Sequence, residues 1–357
     1  MATTSVRVAL RVRPITPKEI LANSVDCIAY PGNSTVIVGA DSTTIYGHQA
    51  EKRPYTFDHV FPPSIGQDEV FKACVLDLID RFLEGFNATI LAYGQTGSGK
   101  TYRTMLWLTV AGHSSGIVPR AIYEIYNRLE QTQARLADKF GFQVFVSFLE
   151  LYNEDLLDLL NPRPRTAGSS GWGGLSIRED GNGNIVWTGV REEEVKSPEE
   201  LLSFLQKGSL YRTTGTTDMN TSSSRSHAIF SVILKQRRLG GHLSSKFHFV
   251  DLAGSERLKR TNAAGERKKE GISINQGLLA LGNVISALGD ESRRAVHIPY
   301  RDSKLTRMLQ DSLGGNSQTL MLACVSPSDS NYGETVNTLN YANRTRNIKN
   351  RVAINQD

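Results

Sequence analysis

The chain has 357 residues, of which 39% are hydrophobic and 22% charged, and a formal net charge of +5. This composition predicts one large domain or two ordinary ones and excludes an intrinsically disordered chain. No apolar run approaches the roughly 18 residues of a membrane-spanning helix, and the first residues lack the apolar core of a secretory signal. We therefore expect a soluble, intracellular protein in the cytoplasm.

The three cysteines are far apart in the sequence and lie among apolar neighbours. Cys27, Cys74 and Cys324 show no CxxC spacing. That pattern favours buried, reduced thiols over disulfides or a metal site. The seven histidines form no cluster that would suggest metal ligands.

Positive charge is concentrated in the second half of the chain. Residues 251–310 hold eleven Lys or Arg against seven Asp or Glu, and residues 341–357 hold four against one. A basic surface of this kind indicates an acidic macromolecular partner, either a nucleic acid or an acidic protein surface. It is equally typical of an ordinary solvated face.

Strand and helix patterns alternate along the chain, without a long linker or repeat. Val6, Val8, Leu10 and Val12 recur at period two and predict an opening strand that ends at Pro14. The later predictions are helices at Gln67–Phe86 and Pro119–Leu136, a strand at Phe142–Tyr152, an exposed loop at Asn161–Gly174, and a helix capped by Ser197. The pattern predicts an α/β domain built around a sheet.

A glycine-rich segment follows the apolar run Ala88–Tyr93 and fits the phosphate-binding pattern GxxxxGK[ST] at every fixed position. Its residues are Gly94, Gln95, Thr96, Gly97, Ser98, Gly99, Lys100 and Thr101. The glycines let the backbone wrap around phosphate oxygens, Lys100 adds a mobile charge, and Thr101 offers a hydroxyl to Mg²⁺. Because a strand precedes the loop, the segment predicts binding of a nucleoside triphosphate rather than a chance turn.

Two further polar clusters suit a triphosphate site. The apolar run Phe247–Val250 leads into the segment Asp251–Glu256. Asp251 is placed like a ligand of Mg²⁺-bound water, and the Gly254 N–H is suited to a terminal phosphate. The other cluster, Asn220–His227, is dense in hydroxyl groups. By itself it is also compatible with an ordinary serine-rich loop.

Taken together, these segments resemble the kinesin motor domain, in the order in which that family carries them and over essentially the whole chain. The segments are Arg11–Pro14, Ala92–Tyr102, Glu150–Glu154, Asn220–His227, Asp251–Glu256 and His297–Thr306. The stretches Thr4–Leu10 and Gly271–Asn275 are most similar to the chromokinesin-type branch, the fourth kinesin class.

The resemblance implies a P-loop NTPase fold of the α/β class, with a central mixed β-sheet flanked by helices on both faces. It implies ATP as the nucleotide and Mg²⁺ as the metal. Arg11, Arg13, Pro14 and Tyr102 would frame the adenine, with Tyr102 stacking on the base.

The resemblance also implies two nucleotide-sensing segments, the first switch (Asn220–His227) and the second switch (Asp251–Glu256). Arg225 and Glu256 would pair as a gate that closes around the terminal phosphate and orders the attacking water. Thr101, Ser224 and Asp251 would hold the Mg²⁺ ion and its bound water. The implied catalytic residues are Ser223, Ser224, Arg225, Gly254 and Glu256.

The basic second half becomes, by the same resemblance, the microtubule-binding face. The implied residues are Arg257, Lys259, Arg260, Lys268, Lys269, Arg293, Arg294, Arg301, Lys304 and Arg307. An amphipathic helix lies among them, with an inward apolar stripe predicted at Leu278, Leu279, Leu281, Val284, Ile285 and Leu288. We expect neither a membrane nor a nucleic acid as partner of this segment, and self-association through regions beyond it stays open.

The chain is expected to divide into a motor domain, residues 1–346, and the start of a neck linker, residues 347–357. Ile348 would anchor the linker, Asn355 would hold its far end, and the N-terminal strand would pair with it. That arrangement favours plus-end-directed movement. A frayed terminus is the alternative.

One departure from the family pattern follows the P-loop. The chain reads Tyr102-Arg103-Thr104-Met105, where the family runs directly from the aromatic residue to Thr-Met-Gly. Arg103 is either a tolerated surface insertion or a change that displaces the aromatic or bulges the helix. The second possibility would favour a regulator of filament ends with slow ATP turnover over a motor. A small GTPase or nucleotide kinase is disfavoured, because the guanine-reading pattern NKxD does not occur.

Overall fold

The computed structural model describes most of the chain. The described residues are 2–39, 44–45, 48–49, 51–104, 115–162, 174–181, 183–214, 224–256, 266–290 and 297–356. For residues 44–45, 48–49, 102–103, 214 and 266–273 the backbone alone is described.

Strands and helices alternate as the sequence predicts. The strands are β1 (Ala2–Ser5), β2 (Arg7–Val12), β3 (Ile28–Ala29), β4 (Thr35–Val38), β5 (Thr44–Ile45), β6 (His48–Gln49), β7 (Arg53–Thr56), β8 (His59–Phe61), β9 (Ala88–Tyr93), β10 (Gly141–Tyr152), β11 (Asp155–Asp158), β12 (Ser176–Glu179), β13 (Ile185–Thr188), β14 (Glu193–Val195), β15 (Ser226–Arg238), β16 (Gly241–Asp251), β17 (Gln318–Val325) and β18 (Lys349–Val352). The helices are α1 (Pro17–Leu21), α2 (Gln67–Cys74), α3 (Leu76–Leu83), α4 (Lys100–Thr104), α5 (Ile117–Leu136), α6 (Pro198–Thr214), α7 (Glu266–Gly289), α8 (Lys304–Met308) and α9 (Tyr332–Thr345).

The central sheet is mixed, as predicted. Its strand order is β11, β10, β15, β16, β9, β17, β2 and β8, and β14 also pairs with β10. The pairs from β16 to β8 are parallel, whereas β15 runs antiparallel to both β10 and β16. The carboxyl ends of β9 and β16 and the start of β15 therefore meet at one edge of the sheet.

Alternating apolar side chains on the strands build a buried cluster on each face of the sheet. Ile90 and Leu322 pack with residues of α2, α3, α5 and α6 on one face. Leu91 and Met321 pack with residues of α7, α8 and α9 on the other. Full burial of one such side chain contributes about 1.5–3 kcal/mol, so the two clusters hold the helices on both faces.

The predicted helices are present, with two adjustments and one confirmed cap. The helix expected over Gln67–Phe86 is divided at Val75, where φ of −107° departs from helical values at a buried, β-branched residue. α5 begins at Ile117, so that Pro119 lies in its first turn, where proline is tolerated. Ser197 caps α6 as predicted, since its Oγ accepts the Glu200 N–H at 3.1 Å.

The predicted inward stripe of α7 is correct except at one residue. Leu278, Leu281, Val284, Ile285 and Leu288 are buried, but Leu279 is 65% exposed. Successive helical residues are turned by about 100°, so a residue next to Leu278 leaves the face that the others share. The inclusion of Leu279 in the stripe was wrong.

The C-terminal segment is folded back onto the domain. β18 pairs with β1 in antiparallel register, from Ala2 opposite Val352 to Ser5 opposite Lys349. Ile348 is fully buried, and its carbonyl accepts the Val6 N–H. The expected pairing with the N-terminal strand and the expected anchor at Ile348 are confirmed.

Candidate nucleotide site

The glycine-rich loop begins where the fully buried strand β9 ends. Gly94 has φ of +147°, and a Cβ atom at this position would lie 2.0 Å from the Cys324 carbonyl oxygen. Only glycine fits there. Its missing side chain allows the backbone to turn sharply beside β17, and the loop then lies over the edge of the sheet. The chain then enters α4 at Lys100.

Within the loop, one carbonyl gathers three donors. The Gln95 oxygen accepts the Ser98 N–H at 3.2 Å, the Ser98 hydroxyl at 2.7 Å and the Lys100 ammonium at 2.9 Å. Lys100 is only 6% exposed, and burial lowers the pKa of its ammonium, while Asp251 and Glu256 act in the opposite direction. A buried ammonium that is short of negative charge favours an anionic ligand.

Asp251 ends β16 and lies at the centre of a buried polar cluster. Its Oδ2 accepts the Thr101 hydroxyl at 2.7 Å and Nη1 of Arg212 at 2.9 Å. Arg212 also donates to the Ser226 carbonyl at 2.9 Å, and its Nε lies 3.5 Å from Glu150. Burial raises the pKa of Glu150. The cluster therefore ties α4, α6, β10, β15 and β16 together at one point.

The same carboxylate has a second oxygen that is suited to a metal-bound water. Asp251 is fully buried, and its Oδ1 has no hydrogen-bond partner among the described residues. A buried carboxylate oxygen without a partner is costly, and water bound to Mg²⁺ would satisfy it. The hydroxyl of Thr101, on the other oxygen, is the ligand type that P-loop proteins present to Mg²⁺. These residues fit the metal that the P-loop pattern implies.

The second switch is held between the P-loop and the start of β15. Glu256 accepts the Thr96 N–H at 2.8 Å and also the Thr96 hydroxyl. A Cβ atom on Gly254 would lie 2.3 Å from Glu256 Oε2, so the close approach of this carboxylate requires glycine there. The Gly254 N–H donates to the Ser224 carbonyl at 2.9 Å.

The first switch is described in part. Ser224 and Arg225 are partly buried, and the chain enters β15 at Ser226. Ser223 lies outside the described residues. The carboxylate of Glu256 is engaged by Thr96, so the pairing of Arg225 with Glu256 stays a prediction.

The arginines before Pro14 bind to the protein itself. Arg13 donates to the Gly97 carbonyl at 2.8 Å and forms an ion pair with Glu19. The pair holds the pKa of Glu19 at about 2, well below its ordinary value. Arg11 is 3% exposed and donates to the Ile65 carbonyl. Pro14 is exposed.

Tyr102, the predicted stacking residue, lies on α4, where its side chain is outside the described part. The backbone of residues 100–104 is a regular helical turn, and the Thr104 hydroxyl donates to the Lys100 carbonyl at 2.9 Å. Arg103 therefore does not bulge the first turn, and that possibility is excluded. Met105 and the residues that follow it lie outside the described part.

The sequence predicted no role for three residues that the structure places in the site. Arg212 and Glu150 join the polar cluster, and His227 accepts the Ala253 N–H at 3.1 Å through Nδ1. Glu150 and His227 lie inside segments that carry the family resemblance, but the resemblance did not indicate what they contact. Arg212 stands in none, because its contacts depend on how α6 packs.

The family model described as the kinesin motor domain matches residues 11–348 of the chain. The chain belongs to the kinesin motor-domain family. It is similar to the mouse (Mus musculus) Kinesin-like protein KIF21B, with 48% identity over 99% of the chain and 22% of that protein. The Chromosome-associated kinesin KIF4 of Xenopus laevis is 49% identical over 99% of the chain and 28% of that protein. The chain thus spans about a quarter of the length of these curated relatives.

A solved kinesin structure shares the fold. The KIF14 dimer in its two-heads-bound state, with AMP-PNP and in complex with a microtubule, has a TM-score of 0.86 and 34% identity over 100% of this chain and 97% of that one. The predicted kinesin fold is confirmed, and the similarity to KIF4 confirms the predicted likeness to the chromokinesin-type branch.

The residues predicted for the microtubule-binding face of this kinesin domain are described only in part. Arg301 and Lys304 are exposed, and Lys304 Nζ donates to the Glu154 carbonyl. Arg307 is 18% exposed and pairs with Glu179 at 2.8 Å. Lys268 and Lys269 lie on α7, where the backbone alone is described. The others, outside the described residues, are Arg257, Lys259, Arg260, Arg293 and Arg294.

The segment predicted as the neck linker makes a set of amide contacts at Asn355. Asn355 donates to the Gly85 carbonyl through both its backbone N–H and Nδ2, each at 3.0 Å. Its Oδ1 accepts Nδ2 of Asn316 at 2.9 Å. The prediction that Asn355 holds the far end is confirmed. Ile354 lies beyond the paired strand, which ends at Val352, and is 46% exposed. No helix among the described residues is long and apolar enough to cross a bilayer.

Proposed function

We propose that this domain is a microtubule-stimulated ATPase that couples ATP hydrolysis to plus-end-directed movement along microtubules. One observation carries the proposal: the P-loop and both switch segments meet around Asp251. Its carboxylate, in the second switch, accepts hydrogen bonds from Thr101 and Arg212, and Arg212 also donates to the carbonyl of Ser226 in the first switch. Membership of the kinesin motor-domain family supports the coupling to a filament. The setting would be the cytoplasm and its microtubule cytoskeleton.

Each group at the site has a part in binding and turnover. The P-loop N–H groups and Lys100 would cradle the phosphates, and Thr101, Ser224 and Asp251 would hold Mg²⁺ and its water ligands. Mg²⁺ held by these residues would neutralise the negative charge that develops on the phosphates. Arg13, through its bond to the Gly97 carbonyl, would fix the loop on the side where Arg11, Pro14 and Tyr102 are proposed to surround the adenine.

The gate requires an exchange of partners. Glu256 is bonded to Thr96, and the Gly254 N–H is bonded to the Ser224 carbonyl. On ATP binding, Glu256 would move to Arg225, and the Gly254 N–H would turn to the terminal phosphate. Ser223, Ser224 and Arg225 would then close over the attacking water. Glu256→Ala should lower turnover by roughly a hundredfold while nucleotide binding survives.

In the proposed division, residues 1–346 form the motor domain and residues 347–357 form the start of the neck linker. Docking of this linker, with β18 paired to β1, would convert closure of the site into displacement. The buried anchor Ile348 and the contacts of Asn355 support this division. Because the nine residues 349–357 span at most about 30 Å, the segment can bias a nearby partner but cannot act over longer distances.

The deciding measurement is steady-state ATP turnover with and without polymerised tubulin, followed by gliding on polarity-marked microtubules. We expect tubulin to stimulate turnover and the plus-end direction to prevail. Equal rates with and without tubulin would exclude the motor, and minus-end gliding would exclude the proposed direction. Asn355→Ala should slow gliding more than it slows turnover, with Gln356→Ala, a change at the exposed neighbour, as the control.

A further inference from the structure

The backbone N–H groups of the second switch donate hydrogen bonds both to the P-loop side and to the first switch. Of the consecutive N–H groups of residues 252–255, the outer two donate to the carbonyls of Ala92 and Gly94, at 3.2 and 3.1 Å. The inner two donate to the first switch, to the Ser224 carbonyl at 2.9 Å and to Nδ1 of His227 at 3.1 Å. Three of these acceptors are backbone carbonyls, which any residue supplies. The fourth is a side chain, and it depends on the identity of residue 227.

The imidazole of His227 is suited to this bond. The side chain is 4% exposed, and burial, together with the positive charges of Arg212 and Lys100, lowers its pKa to about 3. The ring is therefore neutral at physiological pH. Since Nδ1 accepts a hydrogen bond, the single ring proton resides on Nε2. His227 is also fixed in the sheet, because it lies opposite Leu151 in the β10–β15 ladder.

From this geometry we infer that His227 is a positioning residue: its Nδ1 holds Ala253 in place and thereby orients the neighbouring Gly254 N–H. The inference rests on the proposed function, in which that N–H leaves the Ser224 carbonyl for the terminal phosphate. Because His227 holds Ala253, the Gly254 N–H changes its acceptor while the residue before it stays in place. Without that bond, the turn loses a side-chain link to the first switch, and the N–H is presented less often in the productive direction.

A second histidine of the central sheet, His248, provides a control. His248 lies on β16, also has its pKa lowered to about 3 by burial, and is bonded through Nδ1 to the Ser231 hydroxyl at 2.8 Å. Its partner belongs to the neighbouring strand and not to a switch. Substitution of His248, which is partly buried, thus removes a hydrogen-bonded imidazole of the same sheet while leaving the hydrogen bonds of the second switch in place.

The test compares three variants of the chain: His227→Asn, His227→Gln and His248→Gln. The Asn oxygen lies two bonds from Cβ, as Nδ1 does, and can accept the Ala253 N–H, whereas the Gln oxygen lies one bond further out. Loss of one buried acceptor predicts a fall of about tenfold or more in tubulin-stimulated kcat for His227→Gln, with KM for ATP nearly unchanged. His227→Asn should keep kcat within about threefold of wild type, and His248→Gln should lower Tm without a comparable loss of kcat.

Amide hydrogen exchange gives a second readout that does not need activity. A peptide spanning residues 252–256 should exchange faster in His227→Gln than in His227→Asn or His248→Gln. The inference is overturned if His227→Asn loses as much activity as His227→Gln, or if His227→Gln keeps wild-type kcat and exchange. If His227→Gln does not fold, the retained kcat and protection of His227→Asn decide the matter. Absence of ATPase activity in the wild type would instead refute the proposed function, and the exchange comparison would still test the bond.

Discussion

The buried ion pair between Arg212 and Asp251 predicts a large cost for a single substitution at the site. The two side chains are 5% and 0% exposed, and Nη1 lies 2.9 Å from Oδ2. Arg212→Ala leaves the Asp251 carboxylate buried, with the Thr101 hydroxyl as its other donor. Removal of one partner of a buried pair costs about 3–5 kcal/mol, so we expect the free energy of unfolding to fall by that amount.

A surface pair on α3 is the matched control. Arg81 lies 2.9 Å from Glu84, and these side chains are 46% and 52% exposed. Solvent screens such a pair, and Arg81→Ala should cost less than about 1 kcal/mol. Adding Asp251→Asn to Arg212→Ala should recover part of the loss, because the substitution removes the uncompensated charge.

Urea unfolding followed by circular dichroism at neutral pH measures these differences. The deficit of Arg212→Ala should persist in high salt, because a buried pair is screened far less than an exposed one. Equal costs for Arg212→Ala and Arg81→Ala would refute the reasoning, as would a double variant that is no more stable than Arg212→Ala alone.

Three other predictions concern the P-loop, the microtubule-binding face and the acid range. Lys100→Ala should weaken ATP binding and lower turnover by about a hundredfold or more, measured with a fluorescent ATP analogue and by steady-state kinetics, and normal affinity would contradict the assigned role. Lys304→Ala with Arg307→Ala should weaken cosedimentation with microtubules at low salt and less so at high salt, whereas Lys72→Ala, on the opposite face of the sheet, should not; an unchanged affinity of the double variant would refute the assignment. Glu19→Gln should lower the free energy of unfolding by about 2–3 kcal/mol at pH 7, since the depressed pKa stabilises the fold above the unfolded-state value. That deficit should shrink as the pH falls from 4.5 towards 2, and a deficit independent of pH would contradict it.

Those parts of the site that are contiguous in sequence could be predicted. Glycine, lysine and threonine of the P-loop act through backbone conformation and a strand-to-helix turn, and such local chemistry is visible in a short pattern. The roles of Arg212 and Glu150 arise only when α6 packs on β10 and brings them to Asp251. No local pattern encodes a meeting of residues separated by up to a hundred positions.

The fold shows the same division between local and tertiary causes. Period-two alternation predicted β2 and the helical stripe predicted α7, because each depends on which side of one element is buried. The division of the α2–α3 helix at Val75 depends on neighbouring elements, whereas the exposure of Leu279 follows from helix geometry alone and could have been predicted. The Thr16–Glu19 capping box is recognisable in sequence, but the link from Glu19 to Arg13 and onward to Gly97 is not.

The three native cysteines make the domain convenient for site-specific labelling. Each is a buried free thiol, as the sequence predicted, and burial raises the pKa of both Cys27 and Cys74 to about 12. Maleimide reagents react with exposed thiolates, so a cysteine introduced at a surface position such as Gln356 should be modified selectively without removal of the native ones. Cys74 and Cys324 belong to the cluster under α2, α3, α5 and α6, and Cys27 belongs to the opposite one. Pulsed labelling during unfolding would therefore report which face of the sheet opens first.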